Sequence, residues 1–259
     1  MAIYSGIFYD EWLKIGSGDI ASSATLNGGC MNINYGSANN TTVNSGGSMC
    51  INSDGTATNT TINSCGWMNI YYDGTATNTT VNSGGYMTIY DSGAANYTTL
   101  NGGSMEIDDN GAANYTTINS GGYMEIYDSG AASNTTVNSG GCMYISGSAN
   151  DTTVNSGGCM IIYDSGTATS TTINSGGCMI IYDSGTATNT TVKAGGKINN
   201  FTVWEDNYYG SVFHVSNAYL DGDAYLMDGA TATDITVNSG GYMAIYDSGA
   251  ASNTTVNSG

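Results

Sequence analysis

The sequence predicts an all-β fold, a right-handed parallel β-solenoid (β-helix) of about 13 coils with 17 to 19 residues each. Three observations predict it. First, one unit recurs along the chain: Thr60-Thr61-Ile62-Asn63-Ser64-Cys65-Gly66-Trp67-Met68-Asn69-Ile70-Tyr71 returns as Thr79-Thr80-Val81-Asn82-Ser83-Gly84-Gly85-Tyr86-Met87-Thr88-Ile89-Tyr90. Second, apolar residues inside the unit alternate with a period of two, as in a strand with one buried face, and no segment has helical periodicity. Third, 259 residues with 38 Gly, no Pro, 3 Phe and 20 Tyr are a poor recipe for one thick core and suit a thin, elongated object.

The last Gly of each unit falls at Gly29, Gly47, Gly66, Gly85, Gly103, Gly122, Gly141, Gly158, Gly177, Gly196 and Gly241, with a single long gap of 45 residues between the final two. This spacing divides the chain into a degenerate first coil and cap (1–23), regular repeats (24–196), an irregular coil or loop insertion (197–231) and resumed repeats (232–259). Each coil is expected to hold three short strands. Met87 and Ile89, like Met124 and Ile126, face one side of the first strand. Ala57, Ala76, Ala168 and Ala187 each lie five residues before a Val or Ile, an odd offset that requires a bend between two further strands. Gly-Gly and Asp-Ser-Gly supply corners. One coil cannot bury its own apolar face, but stacked coils can. Ten of the 12 Met form one predicted inner column, Met31, Met49, Met68, Met87, Met105, Met124, Met143, Met160, Met179 and Met243. Asn44, Asn63, Asn82, Asn119, Asn138, Asn155 and Asn174 form another, whose amides are expected to bond coil to coil. A left-handed hexapeptide helix is disfavoured because no six-residue repeat is present.

Charge removes several functions. Lys14, Lys193 and Lys197 are the only cations against 21 Asp+Glu, giving a net charge of -18, so a nucleic-acid footprint is missing. No apolar run is long enough to span a membrane. The chain is too apolar, at 40%, and too sparsely charged, at 9%, for an acidic disordered segment.

No enzyme is predicted, and no cofactor. His214 is the single His and Arg is absent. The recurrent corner residues Asp91, Asp128, Asp164, Asp183 and Asp247 read as turn caps rather than calcium ligands, because no calcium-binding nonapeptide is present. No metal site is assigned. Segment 197–230 collects aromatic residues and carboxylates that suit sugar, so Trp204, Tyr208, Tyr209 and His214 are candidate glycan contacts. It is also where a polysaccharide-acting β-helix enzyme, the alternative reading, would keep its site. Thr-x-Thr pairs such as Thr56 with Thr58 raise an ice- or crystal-binding solenoid as a further alternative, weakened by coils that carry Ala94-Ala95 or Ala131-Ala132 instead. Cys142, Cys159 and Cys178 share one repeat position with Cys30. No C-x-x-C pair is present, and free thiols are expected for these and for Cys50 and Cys65.

Residues flanking each Met–Ile pair must point outward. They give a predicted adhesive face of Trp67, Tyr71, Tyr86, Tyr90, Tyr123, Tyr127, Tyr144, Ile161, Tyr163, Ile180, Tyr182, Tyr242 and Tyr246, expected to form an aromatic stripe. Tyr offers wide contact, a polar tip and few rotamers.

The unit Thr-Thr-Val-Asn-Ser-Gly-Gly-x-Met-x-Ile-x-x-Ser-Gly-x-Ala resembles the repeats of the AIDA-type, self-associating autotransporter adhesins, from about Ala24 to Gly196 and again from Ala232. The resemblance implies a non-catalytic passenger β-helix at the bacterial surface or secreted outside the cell. Its expected partners are other copies of itself and host or bacterial surface glycans or proteins. It also implies modification of Ser and Thr by a glycosyltransferase. Met stands where the family commonly has Leu or Val. No signal peptide is visible at Met1–Ser5, and the chain ends within a repeat, so a fragment of a longer passenger is expected.

Overall fold

The structure, a computed structural model, describes residues 1–198, 214–226, 229–246 and 248–257. The chain divides into two compact units, Met1–Ser133 and Asn134–Gly259. Each is a parallel β-solenoid, with about 12 turns in the chain as a whole. No helix occurs among the described residues.

In the first unit the Met–Ile strands Trp12–Ile15, Cys30–Asn34, Ser48–Asn52, Trp67–Ile70, Tyr86–Ile89, Ser104–Ile107 and Tyr123–Ile126 lie side by side in one parallel sheet. Register is set by the two-residue alternation, since a slip of one residue would turn every Met outward. Met31 therefore pairs with Met49, then Met68, Met87, Met105 and Met124, and all six are 0% exposed. The Ile column from Ile33 to Ile126 is equally buried. A second sheet faces it. Its strands, such as Thr56–Ile62, Thr75–Asn82 and Ala94–Asn101, carry the Ala and Val columns of the core.

The bend inferred between Ala and Val is a left-handed residue in mid-strand. Asn59 and Asn78 have φ of 54° and 56°, and the next residue, Thr60 or Thr79, points inward like the Ala before it. Two consecutive outward side chains, Thr58 and Asn59 or Thr77 and Asn78, are what let a flat strand turn the corner. Asn is the least costly residue there after Gly. The Asp-Ser-Gly corner works similarly, with Asp91 at 47° and Ser92 at 65°.

The predicted Asn column is present in both units. Nδ2 of Asn44 donates to Oδ1 of Asn27 at 2.7 Å, Asn63 to Asn44 at 2.7 Å and Asn82 to Asn63 at 2.9 Å. In the second unit Asn155 donates to Asn138 and Asn174 to Asn155, each at 2.8 Å. Each amide both donates and accepts, so the ladder satisfies itself.

The second unit repeats the pattern through Cys142–Ile145, Cys159–Ile162, Cys178–Ile181, Lys197–Ile198, Asp223–Leu226 and Tyr242–Ile245. The segment expected to be irregular, 197–231, contains regular strands at Lys197–Ile198, His214–Ser216, Tyr219–Leu220 and Asp223–Leu226. Residues 199–213 lie outside the described set. Ile198 and Ala224 take places in the Met column, and the shorter Ala224 side chain leaves a small cavity lined also by Val215, Leu220 and Met243. Met243 is only half-buried and Ile245 is exposed, a departure from the expected sealed column, because their strand has a described neighbour on one side only.

Candidate adhesive surface

The outer face of the Met–Ile sheet presents three residues per coil: the one before Met, the one between Met and Ile, and the one after Ile. In the first unit the site residues fall in two clusters. Trp67 and Tyr86 are in register, with ring centroids 5.8 Å apart and tilted by 59°. Tyr71 and Tyr90 stack at 5.2 Å and 9°, and Tyr72 meets Tyr71 edge-on at 5.2 Å. The next coil carries Ser104, Glu106 and Asp108 at these three places and so interrupts the expected stripe before Tyr123 and Tyr127. Parallel in-register stacking multiplies whatever one coil offers, so a single polar coil breaks the row.

The polar coil also tunes its neighbours. Burial pushes the Tyr86 hydroxyl above the usual phenol range, and its hydrogen bond to the Glu106 carboxylate, with that charge, adds to the effect. The Tyr123 hydroxyl donates to Oε2 of Glu125 at 2.7 Å. Burial likewise raises Tyr71, which accepts from Nδ2 of Asn52 at 3.2 Å, and Tyr90.

In the second unit the three rows read Cys142, Cys159, Cys178, then Tyr144, Ile161, Ile180, then Ser146, Tyr163, Tyr182. Tyr163 and Tyr182 stack at 5.9 Å and 25°. All nine residues are half-buried and none is an Asp, Glu, Lys or Arg. Further along, Tyr242 packs against Tyr225 at 5.9 Å, and Tyr246 is exposed. Burial first, then the neighbouring Cys142, pushes Tyr144 up to about 12.

These raised phenols predict an alkaline limit. An unfolded Tyr ionises near pH 10, whereas the folded chain holds its proton. Stability present below pH 10 is therefore lost as pH rises from 10 towards 12, because the unfolded state then binds fewer protons. Urea midpoints measured at about pH 9 and pH 11 should fall, and Tyr144→Phe should lessen that fall. An unchanged midpoint in the wild-type protein would contradict the raised ionisation.

The other sequence-derived candidates separate. Trp204, Tyr208 and Tyr209 lie outside the described residues. His214 sits on the other sheet, exposed, in register between Thr186 and Thr231, and its Nδ1 hydrogen-bonds Thr231 Oγ1. Asp221 occupies the Asn-column position and accepts from Nδ2 of Asn238 at 2.8 Å, a structural task. Asp91, Asp128, Asp164 and Asp183 form the left-handed corners, and Asp247 lies outside the described residues.

Sequence reasoning missed a further aromatic pair on a different part of the coil. Tyr97 and Tyr115 take the left-handed corner normally held by Asn, both with φ of 57°, and stack at 4.9 Å and 7°. Their position after Asn96 and Asn114, aligned with Asn59 and Asn78, is the signal that could have revealed them.

Comparison with known proteins agrees with this geometry. The family model described as the adhesin of the bacterial autotransporter system, probable stalk, matches residues 25–85, 85–141 and 144–177. The crystal structure of a TibA fragment, residues 55–350, hyper-glycosylated by TibC, superposes with a TM-score of 0.91 at 33% identity. That alignment covers 99% of this chain and 94% of the other. A search of curated proteins gave no match. Members of such a family are generally non-catalytic surface or extracellular passengers. More than half of the repeats' length is matched by the family model and nearly all of the chain by a solved passenger, so the chain belongs to the bacterial autotransporter adhesins, as a stalk-like passenger β-helix.

Proposed function

We propose that the chain acts without reaction chemistry, as an adhesive surface passenger that associates with further copies of itself. The observation that carries this reading is the uncharged outer patch of Cys159, Ile161 and Tyr163 over Cys178, Ile180 and Tyr182. In a chain with a net charge of -18 such a patch is the place where two copies meet with least repulsion. Tyr and Ile there supply apolar area, and each Tyr ends in a polar tip.

Repulsion between acidic copies is screened over roughly 10 Å at 0.1 M salt. Sedimentation should therefore show association strengthening as salt rises from low to physiological levels. Replacing Ile161, Tyr163, Ile180 and Tyr182 by Ser should weaken it at least several-fold while the far-ultraviolet β-sheet signature persists. A folded quadruple variant that associates like the wild type would remove this face from the reading.

A glycosyltransferase is the proposed modifying partner, on the strength of the TibC-glycosylated relative. The acceptors this fold offers are the corner serines Ser83, Ser120, Ser139, Ser156 and Ser175, all exposed and one per coil. Co-expression with an enzyme of the TibC kind should add sugar masses that map to these serines. An unmodified mass would exclude the chain as a substrate.

A further inference from the structure

We propose that Cys142, Cys159 and Cys178 form an oxidation site, a three-thiol ladder in which one disulfide closes between neighbouring coils and passes to the next pair. The three thiols are free, half-buried and on the outer face of one sheet. They stand in direct register, Cys142 opposite Cys159 and Cys159 opposite Cys178. In-register parallel strands hold Cα atoms about 4.8 Å apart, inside the range of about 4.4–6.8 Å that a disulfide spans. Cys142 and Cys178 are two coils apart, roughly 9.6 Å, and cannot be bridged directly.

The other thiols lack this arrangement. Cys30 pairs with Ser48 and Cys50 with Asn32, so these two are diagonal neighbours roughly 8 Å apart. Cys65 is exposed at a left-handed corner. Among the described residues no three His, Cys, Asp or Glu side chains converge on one metal-sized centre, which leaves thiol chemistry as the reading of the ladder.

The contact between Cys142 and Cys159 also prepares the chemistry. The Cys159 thiol hydrogen-bonds the Cys142 sulfur and pulls its ionisation down to about 7, while the same bond drives Cys159 up. The pair thus loses its first proton near neutral pH, and the thiolate is the attacking form. Burial raises Cys178, and the in-register Lys197 opposes that shift.

A small-molecule disulfide is the oxidant class. The Cys142 thiolate attacks one of its sulfurs, forming a mixed disulfide and releasing one small thiolate. Cys159 then gives its proton to solvent and attacks the Cys142 sulfur, closing Cys142–Cys159 and releasing the second small thiol. Two protein thiols are oxidised by two electrons, and the small disulfide is reduced to two thiols. The Cys178 thiolate can next attack the Cys159 sulfur, forming Cys159–Cys178 and freeing Cys142 without further electron transfer. The surface or extracellular setting implied by the family is one in which disulfides persist.

The test uses oxidised glutathione, followed by alkylation and peptide mapping of the intact chain. The wild type should fall from six alkylable thiols to four, with crosslinked peptides joining residue 142 to 159 and residue 159 to 178. A variant with Cys30, Cys50 and Cys65 all replaced by Ser should fall from three to one. Adding Cys159→Ser to that variant should abolish every intrachain crosslink. Persistent glutathione adducts on separate thiols, crosslinks only between chains, or no loss of alkylable thiol in the wild type would each overturn the proposal.

Discussion

Gly66→Ala is expected to lower stability by roughly 3 kcal/mol, the upper end of overpacking costs, whereas Cys65→Gly, one residue earlier, should raise it by about 1 kcal/mol. The two halves of the Gly-Gly corner do different things. The first must adopt a left-handed backbone: Gly84 and Gly157 both have φ of 73°, and Cys65 takes the same place at 57°. A side chain is tolerated there at a conformational cost that Gly removes. The second half needs room rather than an unusual φ. A Cβ on Gly66 would lie 2.6 Å from the carbonyl oxygen of Val43 in the preceding coil and 3.0 Å from that of Asn63 in its own corner, both backbone atoms. Neither oxygen can swing aside without breaking a hydrogen bond: that of Val43 accepts from the Asn63 N–H of the next coil, and that of Asn63 accepts from the Gly66 N–H. The sequence is consistent with this, since the second Gly recurs in every regular unit while the first gives way to Cys65. Gly18→Ala is the control: φ is 77° there, but nothing stands within 4 Å of the added carbon, so its cost should be only about 1 kcal/mol. Urea midpoints of the three variants test the order. Gly66→Ala within about 0.5 kcal/mol of wild type would mean that the coils part more easily than close stacking allows.

Those same corners explain how much was legible beforehand. Repetition made the core readable, because one correct assignment of Met87 and Ile89 carries to every coil in register. The bend between Ala76 and Val81 was readable from an odd offset, and the Asn44 and Asn63 ladder from a polar residue recurring at one coil position. What could not be read was the consequence of single substitutions between coils. Ser104, Glu106 and Asp108 cut the aromatic face, a break that shows only when the sequence is read by column rather than by residue type. His214 stands near Trp204 in sequence, but solenoid winding places His214 on a different sheet from the Met–Ile face. Strict alternation puts Thr79 on the same inward face as Val81, but it does not show that the Thr79 hydroxyl is buried there without a partner.

That hydroxyl gives the second large expectation: Thr98→Val should stabilise the chain by about 1 kcal/mol or more. Among the described residues nine threonines, Thr41, Thr60, Thr79, Thr98, Thr116, Thr135, Thr152, Thr171 and Thr190, stand next to the left-handed corners with their Oγ1 atoms buried and without a protein hydrogen-bond partner. Burying an unpaired hydroxyl costs about 1–3 kcal/mol, and Val keeps the volume and branching while replacing the hydroxyl with a methyl. The chain itself shows that the hydroxyl is dispensable. Ala24, Ala218 and Ile235 occupy the same position in other coils and are buried there at 1%, 1% and 2% exposure. The Thr methyl, by contrast, fills core space, so removing it should hurt. The expected order of stability is Thr98→Val above wild type, Thr98→Ala near wild type, where the loss of a methyl offsets the loss of the orphan, and Thr98→Ser lowest. Thr60 and Thr98 are two coils apart, roughly 9.6 Å, far enough for the gains of Thr60→Val and Thr98→Val to add within about 0.5 kcal/mol. Denaturant midpoints of the four proteins decide the matter. A Thr98→Val variant less stable than wild type would show that the hydroxyl column is bonded in solution and holds the corner together.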